Sequence, residues 1–124
     1  QKWAHASDDK LSASPQYRLM REIVKIIHEH IDDPDFKLDS MASGLHLSVS
    51  GLHRKIKAIT GTTPHEMVRI MRLKRAASLL RNGERNITQV MYQVGMKNPS
   101  HFASSFRNYF GVNPSEYRNP KEES

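Results

Sequence analysis

Two stretches of this chain share one arrangement of residues although they lie fifty positions apart. Residues 53–67 are HRKIKAITGTTPHEM, and residues 103–117 are ASSFRNYFGVNPSEY. In both, an apolar and basic run leads to a glycine, and a polar residue two positions later is followed by proline. Glycine accepts the left-handed conformation that often ends a helix, and proline is favoured in a helix's first turn. Each stretch therefore predicts a helix, a sharp stop and a new helix.

The repeat extends upstream of both stretches. At an offset of 50, the residues Leu52, Ile56, Gly61, Pro64 and Met67 correspond to Phe102, Phe106, Gly111, Pro114 and Tyr117. At an offset of 49, the residues Leu38, Met41, Leu45 and Leu47 correspond to Ile87, Val90, Val94 and Met96. The change of offset from 49 to 50 corresponds to one residue inserted in the turn of one half. Each half thus contains a short helix, a tight turn and a second helix with apolar positions on one side. This is the helix-turn-helix layout.

The apolar periodicity predicts an all-α fold of about seven helices, with no alternating strand pattern. The first helix starts at Ser14-Pro15, and we expect it to end at the segment DDPD, residues 32–35, because a residue before proline disfavours the helical conformation. The remaining helices are predicted over residues 38–45, 49–60, 64–82, 86–94 and 99–110, with a last turn at residues 113–118.

These elements predict two helix-turn-helix subdomains joined by a long linker helix. We expect residues 14–83 to form the first subdomain together with the linker helix, residues 64–82, and residues 84–118 to form the second. Residues 1–13 have no periodicity and are interpreted as a flexible linker or a remnant of the cloned sequence, and residues 119–124 as a tail. Because the chain begins with Gln1, we interpret it as an excised or processed piece of a longer protein.

Charge is distributed unevenly along the chain. The formal net charge is +6, yet residues 40–115 hold eleven Lys and Arg residues against only Glu66 and Glu84. A segment so poor in acids is typical of a surface that binds a polyanion, although charge alone fits a solvated basic face equally well. The absence of cysteine excludes disulfides, thiolate zinc sites and cysteine nucleophiles. No apolar run has membrane-spanning length and no signal peptide is visible, so we expect no membrane contact.

The second helix of each repeat has an apolar side and an opposite polar side. In helix 49–60 the inward positions are Leu52, Ile56 and Ile59, whereas the opposite face and its flank carry Ser50, His53, Arg54, Lys55 and Lys57. In helix 99–110 the inward or flanking positions are Phe102, Phe106, Tyr109 and Phe110, and the free face carries Ser100, His101, Ala103, Ser104 and Arg107. Arginine can donate two hydrogen bonds to guanine in the major groove, and serine can bond to either base edge. We expect the lysines and Arg107 to contact phosphate rather than bases.

The predicted linker helix has a length suited to adjacent major grooves. Its nineteen residues, 64–82, correspond to roughly 28 Å, and successive major grooves on one side of a duplex lie roughly 34 Å apart. The two helices therefore fit neighbouring grooves, and any shortfall predicts that the duplex bends towards the protein.

A large part of the chain resembles the DNA-binding domain of AraC/XylS-family transcription regulators. The resemblance rests on LDSMASGLHLSVSGLHRKIKAITGTTPHEMVRIMRLKRAASLL and ITQVMYQVGMKNPSHFASSFRNYFGVNPSEYR, and it covers about residues 16–118. The phrase FRNYFGVNPSEYR is very close to the family signature. LHRKIKAITGTTP and MRLKRAASLL also resemble a narrower group, the C-terminal output domains of hybrid two-component regulators.

The resemblance implies a seven-helix fold of two parts that binds promoter DNA, usually as an activator in the bacterial cytoplasm. It implies RNA polymerase, and receiver and sensor domains upstream in the same polypeptide, as partners. By position, base contacts fall on Ser50, His53 and Arg54 in the first half, and on Ser100, Ala103 and Ser104 in the second, with Arg107 nearer the DNA backbone. Because the second helix lacks a long polar side chain at its central positions, we expect the first helix to determine more of the specificity.

Other function classes have weaker support. The segment HEMVR begins like a zinc-protease helix, but Arg69 occupies the position of the second ligand, and the HEH at residues 28–30 directs its imidazoles apart. We therefore expect no metal site, no cofactor and no enzyme activity, and we expect Met67, Met71, Met91 and Met96 to be core residues. The alternative function is a helical protein-interaction or non-specific nucleic-acid-binding module, which explains the charge but not the two polar faces.

Overall fold

The computed structural model describes residues 14–117, and these residues form helices without any strand. The six α-helices are α1 (Pro15–Glu29), α2 (Leu38–Gly44), α3 (Val49–Thr60), α4 (Pro64–Arg81), α5 (Ile87–Gln93) and α6 (Pro99–Phe110), and a 3-10 turn follows at Pro114–Glu116. The predicted all-α fold is confirmed, and with the 3-10 turn the described part has seven helical elements. The predictions for residues 1–13, for Arg118 and for residues 119–124 lie outside the described residues.

Helix starts were predicted well because local capping determines them. Ser48 and Asn98 cap α3 and α6: their side-chain oxygens accept hydrogen bonds from the backbone N–H groups three residues later, at 3.0 Å in both helices. Gly61 and Gly111 end these two helices in the left-handed conformation, with φ values of 77° and 85°. The predicted bounds of α3 and α6 match the structure at both ends.

The predicted end of α1 is wrong, because the helix stops at Glu29, before the segment DDPD. His30 closes the helix: its backbone N–H donates to the carbonyl of Ile27, and its ring Nδ1 lies 2.9 Å from the carbonyl oxygen of Ile26. The His30 ring also stacks on Phe36, with 4.8 Å between ring centroids. The local contacts of the histidine thus end the helix before proline can.

The chain folds as two compact units, and the division falls within α4. The first unit contains described residues 14–30 and 36–67, and the second contains residues 31–35 and 68–117. In the first unit, α2 packs on α3, and the buried apolar side chains are Met20, Ile23, Ile27, Met41, Ala42, Leu52, Ile56 and Met67.

The second unit has a larger and more aromatic core. Its buried cluster consists of Leu73, Ala76, Ala77, Leu80, Val90, Met91, Val94, Met96, Phe102 and Phe106. The partly buried Phe110 and Tyr117 extend this cluster, with ring centroids 4.6 Å and 5.3 Å from that of Phe106. The Tyr117 hydroxyl accepts a hydrogen bond of 2.7 Å from Arg81 Nη1 at the end of α4. The predicted burial of Met67, Met71, Met91 and Met96 is confirmed.

The acidic segment that follows α1 belongs to the second unit. Arg72 Nη2 donates a 2.7 Å hydrogen bond to the carbonyl oxygen of Asp33, and Lys97 Nζ lies 3.5 Å from the Asp35 carboxylate. Burial lowers the pKa of Arg72 and the Asp33 carboxylate opposes this change, but a guanidinium stays charged throughout the ordinary pH range. The segment is therefore held to α4 and to the loop before α6 by cationic side chains.

The two helix-turn-helix turns use different residues at the same left-handed position. His46 has φ of 59° in the first turn, and Gly95, which corresponds to it at an offset of 49, has φ of 75° in the second. A Cβ atom on Gly95 would lie 2.6 Å from the carbonyl oxygen of Ile31 and 3.1 Å from the Arg72 guanidinium carbon. His46 is exposed. The second turn therefore requires glycine for space as well as for conformation.

We expect Gly95→Ala to lower the free energy of unfolding by more than about 2 kcal/mol, because left-handed strain adds to a backbone clash. His46→Ala is the matched control: it keeps a side chain in the same left-handed conformation without a clash, and its effect should stay within about 0.5 kcal/mol. Urea denaturation followed by circular dichroism measures both. A loss of only about 1–2 kcal/mol in Gly95→Ala, the cost of left-handed strain alone, would show that the contact with Ile31 does not constrain the turn.

Candidate nucleic-acid interface

The first candidate recognition helix, α3, is fixed to its unit by one side only. Leu52 and Ile56 are completely buried, whereas Ile59, also predicted to point inward, is only partly buried. Gly51 is buried as well, and a Cβ atom at this position would lie 3.0 Å from the hydroxyl oxygen of the cap residue Ser48. Because the contacts with the core lie on this side, the opposite side of α3 stays free.

All five residues predicted for DNA binding on α3 are exposed: Ser50, His53, Arg54, Lys55 and Lys57. The Ser50 hydroxyl lies 3.4 Å from the hydroxyl of the cap residue Ser48. Arg54 passes close to Gly51, since its Nη2 lies 4.0 Å from the position that a Cβ on that glycine would occupy. The exposed side of α3 therefore combines two hydroxyl groups, an imidazole and three cationic groups without a carboxylate.

The second candidate recognition helix, α6, is packed in the same way but against aromatic residues. Phe102 and Phe106 are buried, and α6 packs on α5 and on the 3-10 turn. Ser105, which was not predicted to be inward, is also buried. Tyr109 and Phe110 are partly buried, in agreement with their predicted position at the inner flank.

The predicted DNA-binding residues of α6 differ in their exposure. Ser100, His101 and Arg107 are exposed, whereas Ala103 and Ser104 are half-buried. The Ser104 hydroxyl donates a 3.2 Å hydrogen bond to the carbonyl oxygen of His101. This leaves Ser104 only as a hydrogen-bond acceptor towards a ligand, so the helix has fewer donor groups than its sequence indicates.

The DNA-binding candidate Arg107 is connected to two residues that were not among the predicted site residues, directly to Asn113 and through it to Glu116. Arg107 Nη1 donates a 3.3 Å hydrogen bond to Asn113 Oδ1, and Asn113 Nδ2 donates a 2.8 Å bond to Glu116 Oε1. The signal in the sequence was the spacing of Asn113 and Glu116, a polar cap residue three positions before glutamate. That spacing predicts a local cap, but it does not reveal that the cap residue also contacts Arg107.

Three observations on the described residues concern a metal site, a groove and a membrane span. Between residues 14 and 117, no group of three or more His, Asp or Glu side chains could hold a metal ion. A shallow groove of about 200 Å³ lies beside α6, and its lining includes Met91, Phe102, Ala103 and Pro114. No helix in the described part of the chain is long and apolar enough to cross a membrane.

Comparison with known proteins identifies the family. A family model described as a helix-turn-helix domain matches residues 41–120. The chain is 38% identical over 102 residues to histidine kinase P4 of Formosa agariphila. This match covers 82% of the chain and 7% of the kinase. It is also 32% identical over 96 residues to the transcriptional activator RhaS of Escherichia coli, and this match covers 77% of the chain and 34% of RhaS. The chain thus spans only a small part of both relatives.

A solved structure supports the same assignment. The C-terminal domain of AraT, a response regulator from Geobacillus stearothermophilus, superposes with a TM-score of 0.72 and 31% sequence identity, covering 84% of each chain. The repeated turn, the two helices that are buried along one side, and the family match all indicate a helix-turn-helix domain. The chain belongs to the AraC-type helix-turn-helix family of DNA-binding domains.

Proposed function

We propose that this chain is the output domain of a transcription regulator and binds a specific double-stranded site in promoter DNA. The observation that carries the proposal is the repeated geometry of α3 and α6, each buried along one side and polar and basic along the other. An α-helix fits the major groove of B-DNA, where each base pair presents a distinct pattern of donors and acceptors. The activator RhaS and the response regulator AraT support a regulatory role.

In this proposal α3 determines most of the sequence specificity. Arg54 donates two hydrogen bonds to one guanine, while His53 and Ser50 contact neighbouring base edges. Gly51 leaves space beside the Arg54 side chain, which can therefore extend along the start of the helix. Lys55 and Lys57 contact phosphates, because phosphate and sugar contacts make up half or more of protein–DNA hydrogen bonds.

In the same proposal α6 contributes more affinity than specificity. Ser100 has a short side chain, and the Ser104 hydroxyl already donates its hydrogen bond to the carbonyl oxygen of His101. Few hydrogen bonds from α6 to bases are therefore expected. The half-buried methyl group of Ala103 suits contact with a thymine methyl group. His101 and Arg107 are left for the DNA backbone, and sequence-dependent DNA shape supplies the remaining discrimination.

We further propose that the two helices enter adjacent major grooves. The helix α4, which runs from one unit into the other, has 18 residues and a length of about 27 Å, whereas successive grooves lie roughly 34 Å apart. Bending the duplex towards the protein would bring the grooves closer, at a cost of a few kcal/mol. A gel-phasing assay should therefore show bent DNA, and a straight duplex would contradict this step.

The proposed function has partners that this chain does not include. The match to a histidine kinase and to the C-terminal domain of a response regulator supports a two-component pathway. Receiver and sensor domains upstream in the same polypeptide would control DNA binding, and RNA polymerase would respond to it, in the bacterial cytoplasm. In this arrangement the chain is a binding domain without catalytic activity or cofactor.

The central experiment is selection of bound duplexes from a random pool, followed by competition with bulk DNA. We expect the selected site to be preferred by roughly a thousandfold or more, as for other specific DNA-binding domains. Equal affinity for all duplexes would instead support a non-specific nucleic-acid-binding module. No binding to any duplex would support a protein-interaction module.

Substitution of Arg54 tests the assignment of base contacts. Arg54→Ala should lower the affinity for the selected site by roughly 1–3 kcal/mol and relax the preference at one base pair. Arg54→Lys is the matched variant, because it keeps the charge but replaces the planar, rigid guanidinium with a single flexible ammonium group. It should therefore weaken the base preference while retaining the charge-dependent part of the affinity. Unchanged discrimination in both variants, measured by competition with single-base variants of the site, would contradict the assignment.

Substitution of Lys57 tests the assignment of phosphate contacts. Lys57→Ala should weaken binding to all sequences alike and reduce the slope of log affinity against log salt concentration by about one. The control is Lys25→Ala, which removes an exposed lysine from α1, outside both recognition helices. Fluorescence anisotropy over a salt series measures both slopes. The proposal fails if the two variants have the same slope.

A further inference from the structure

The side of α6 that is proposed to face DNA contains one cation whose position is determined by other side chains. Arg107 is exposed near the C-terminal end of the helix, and its Nη1 donates to Asn113 Oδ1 at 3.3 Å. Lys57, which corresponds to Arg107 in the first half, has Thr63 at the position of Asn113. The Thr63 hydroxyl accepts the backbone N–H of Glu66 at 3.1 Å. The second unit thus combines a long arginine with a cap residue long enough to meet it.

The orientation of the Asn113 amide is fixed by Glu116. A carboxylate only accepts hydrogen bonds, and Glu116 Oε1 lies 2.8 Å from Asn113 Nδ2 and 3.4 Å from the Asn113 backbone N. The amide nitrogen must therefore face Glu116, which directs the amide oxygen towards Arg107. Because guanidinium groups only donate, the oxygen is the group that Arg107 can use.

A neutral partner holds the guanidinium without cancelling its charge. An aspartate in the place of Asn113 would form an ion pair with Arg107 and compete with a phosphate for it. The amide oxygen instead accepts one of the five guanidinium N–H groups and leaves the others available. Glu116, the nearby carboxylate, is separated from Arg107 in this chain of bonds by the amide.

We propose that Asn113 and Glu116 are positioning residues that orient Arg107 for contact with a DNA phosphate. This inference rests on the proposed function, in which α6 binds duplex DNA and Arg107 contacts its backbone. Orientation before binding matters because ordering a long side chain on association reduces affinity. The residues therefore act on affinity for every sequence and on the salt dependence, and they do not select a base.

The first test uses Asn113→Asp with a duplex of random sequence as the probe. Because Asn113→Asp replaces the amide that donates to Glu116 with a second carboxylate, a purely structural role predicts a loss of stability with no change in the salt slope. Positioning of Arg107 instead predicts a roughly two- to tenfold loss of affinity and a salt slope lower by about one, because the new carboxylate pairs with the guanidinium. Thermal unfolding of the same sample shows whether the variant is folded.

A double-mutant cycle with Arg107→Ala decides between the two roles. If Asn113 acts through Arg107, then Asn113→Asp and Asn113→Ala lower affinity in the natural chain but have little further effect in the Arg107→Ala background. Glu116→Ala should behave in the same way. Equal losses in both backgrounds would overturn the positioning role, and would also expose a general effect of the added charge.

The cycle separates this inference from the proposed function. If Arg107→Ala lowers the salt slope by about one while the Asn113 variants have equal effects in both backgrounds, Arg107 contacts phosphate and only the positioning role is wrong. If Arg107→Ala leaves both slope and affinity unchanged, Arg107 does not contact DNA, and the positioning role is overturned with it.

Discussion

The burial of two apolar side chains one turn apart is the constraint on which both candidate DNA-binding helices depend. Leu52 and Ile56 in α3, and Phe102 and Phe106 in α6, are almost fully buried. Side chains four residues apart on a helix lie on the same face, so this burial determines which side of each helix remains exposed. The exposed residues of α3 and α6 are thus free of contacts with the core and can contact a ligand.

The two units differ in the contacts that surround the buried pair. In the second unit, the rings of Phe106, Phe110 and Tyr117 contact one another, and Tyr117 is bonded to Arg81 at the end of α4. The corresponding end of α3 has Thr60, whose hydroxyl donates to the carbonyl of Ile56 at 2.8 Å. Aromatic pairs contribute beyond the area that they bury. The unit with fewer base contacts in our proposal thus has the more extensive aromatic packing.

Cap residues, prolines and glycines in the sequence predicted most of the fold, and the prediction failed where a side chain bonds to the backbone. The start and end of α3 and α6 follow from a cap residue, a proline or a glycine within a few positions, and these bounds were correct. The end of α1 depends on the ring of His30, and the place of residues 31–35 depends on Arg72, which bonds to Asp33 from 39 positions away. Hydrophobic periodicity contains no information about such side-chain to backbone bonds.

The candidate site shows the same limit. The exposure of Arg54 and Lys57 followed from helical periodicity, because residues opposite a buried pair must face solvent. The internal hydrogen bond of Ser104 and the contact between Arg107 and Asn113 did not follow from it, since both depend on side-chain conformations. Periodicity therefore predicted the exposed side of each helix, whereas the hydrogen-bonding groups available on that side became visible only in the structure.

The placement of the carboxylates connects the fold to the proposed electrostatics. In the described part of the second unit, Asp35 pairs with Lys97, Glu84 accepts from the backbone N–H of Asn86, and Glu116 accepts from Asn113. None of these acids belongs to α6, whose twelve residues contain no carboxylate, and α3 contains none either. An acid on either helix would repel phosphate at the distance where attraction is needed. The acids of the second unit thus lie in loops and in the 3-10 turn, and the Lys, Arg, Asp and Glu residues of α3 and α6 are all cationic.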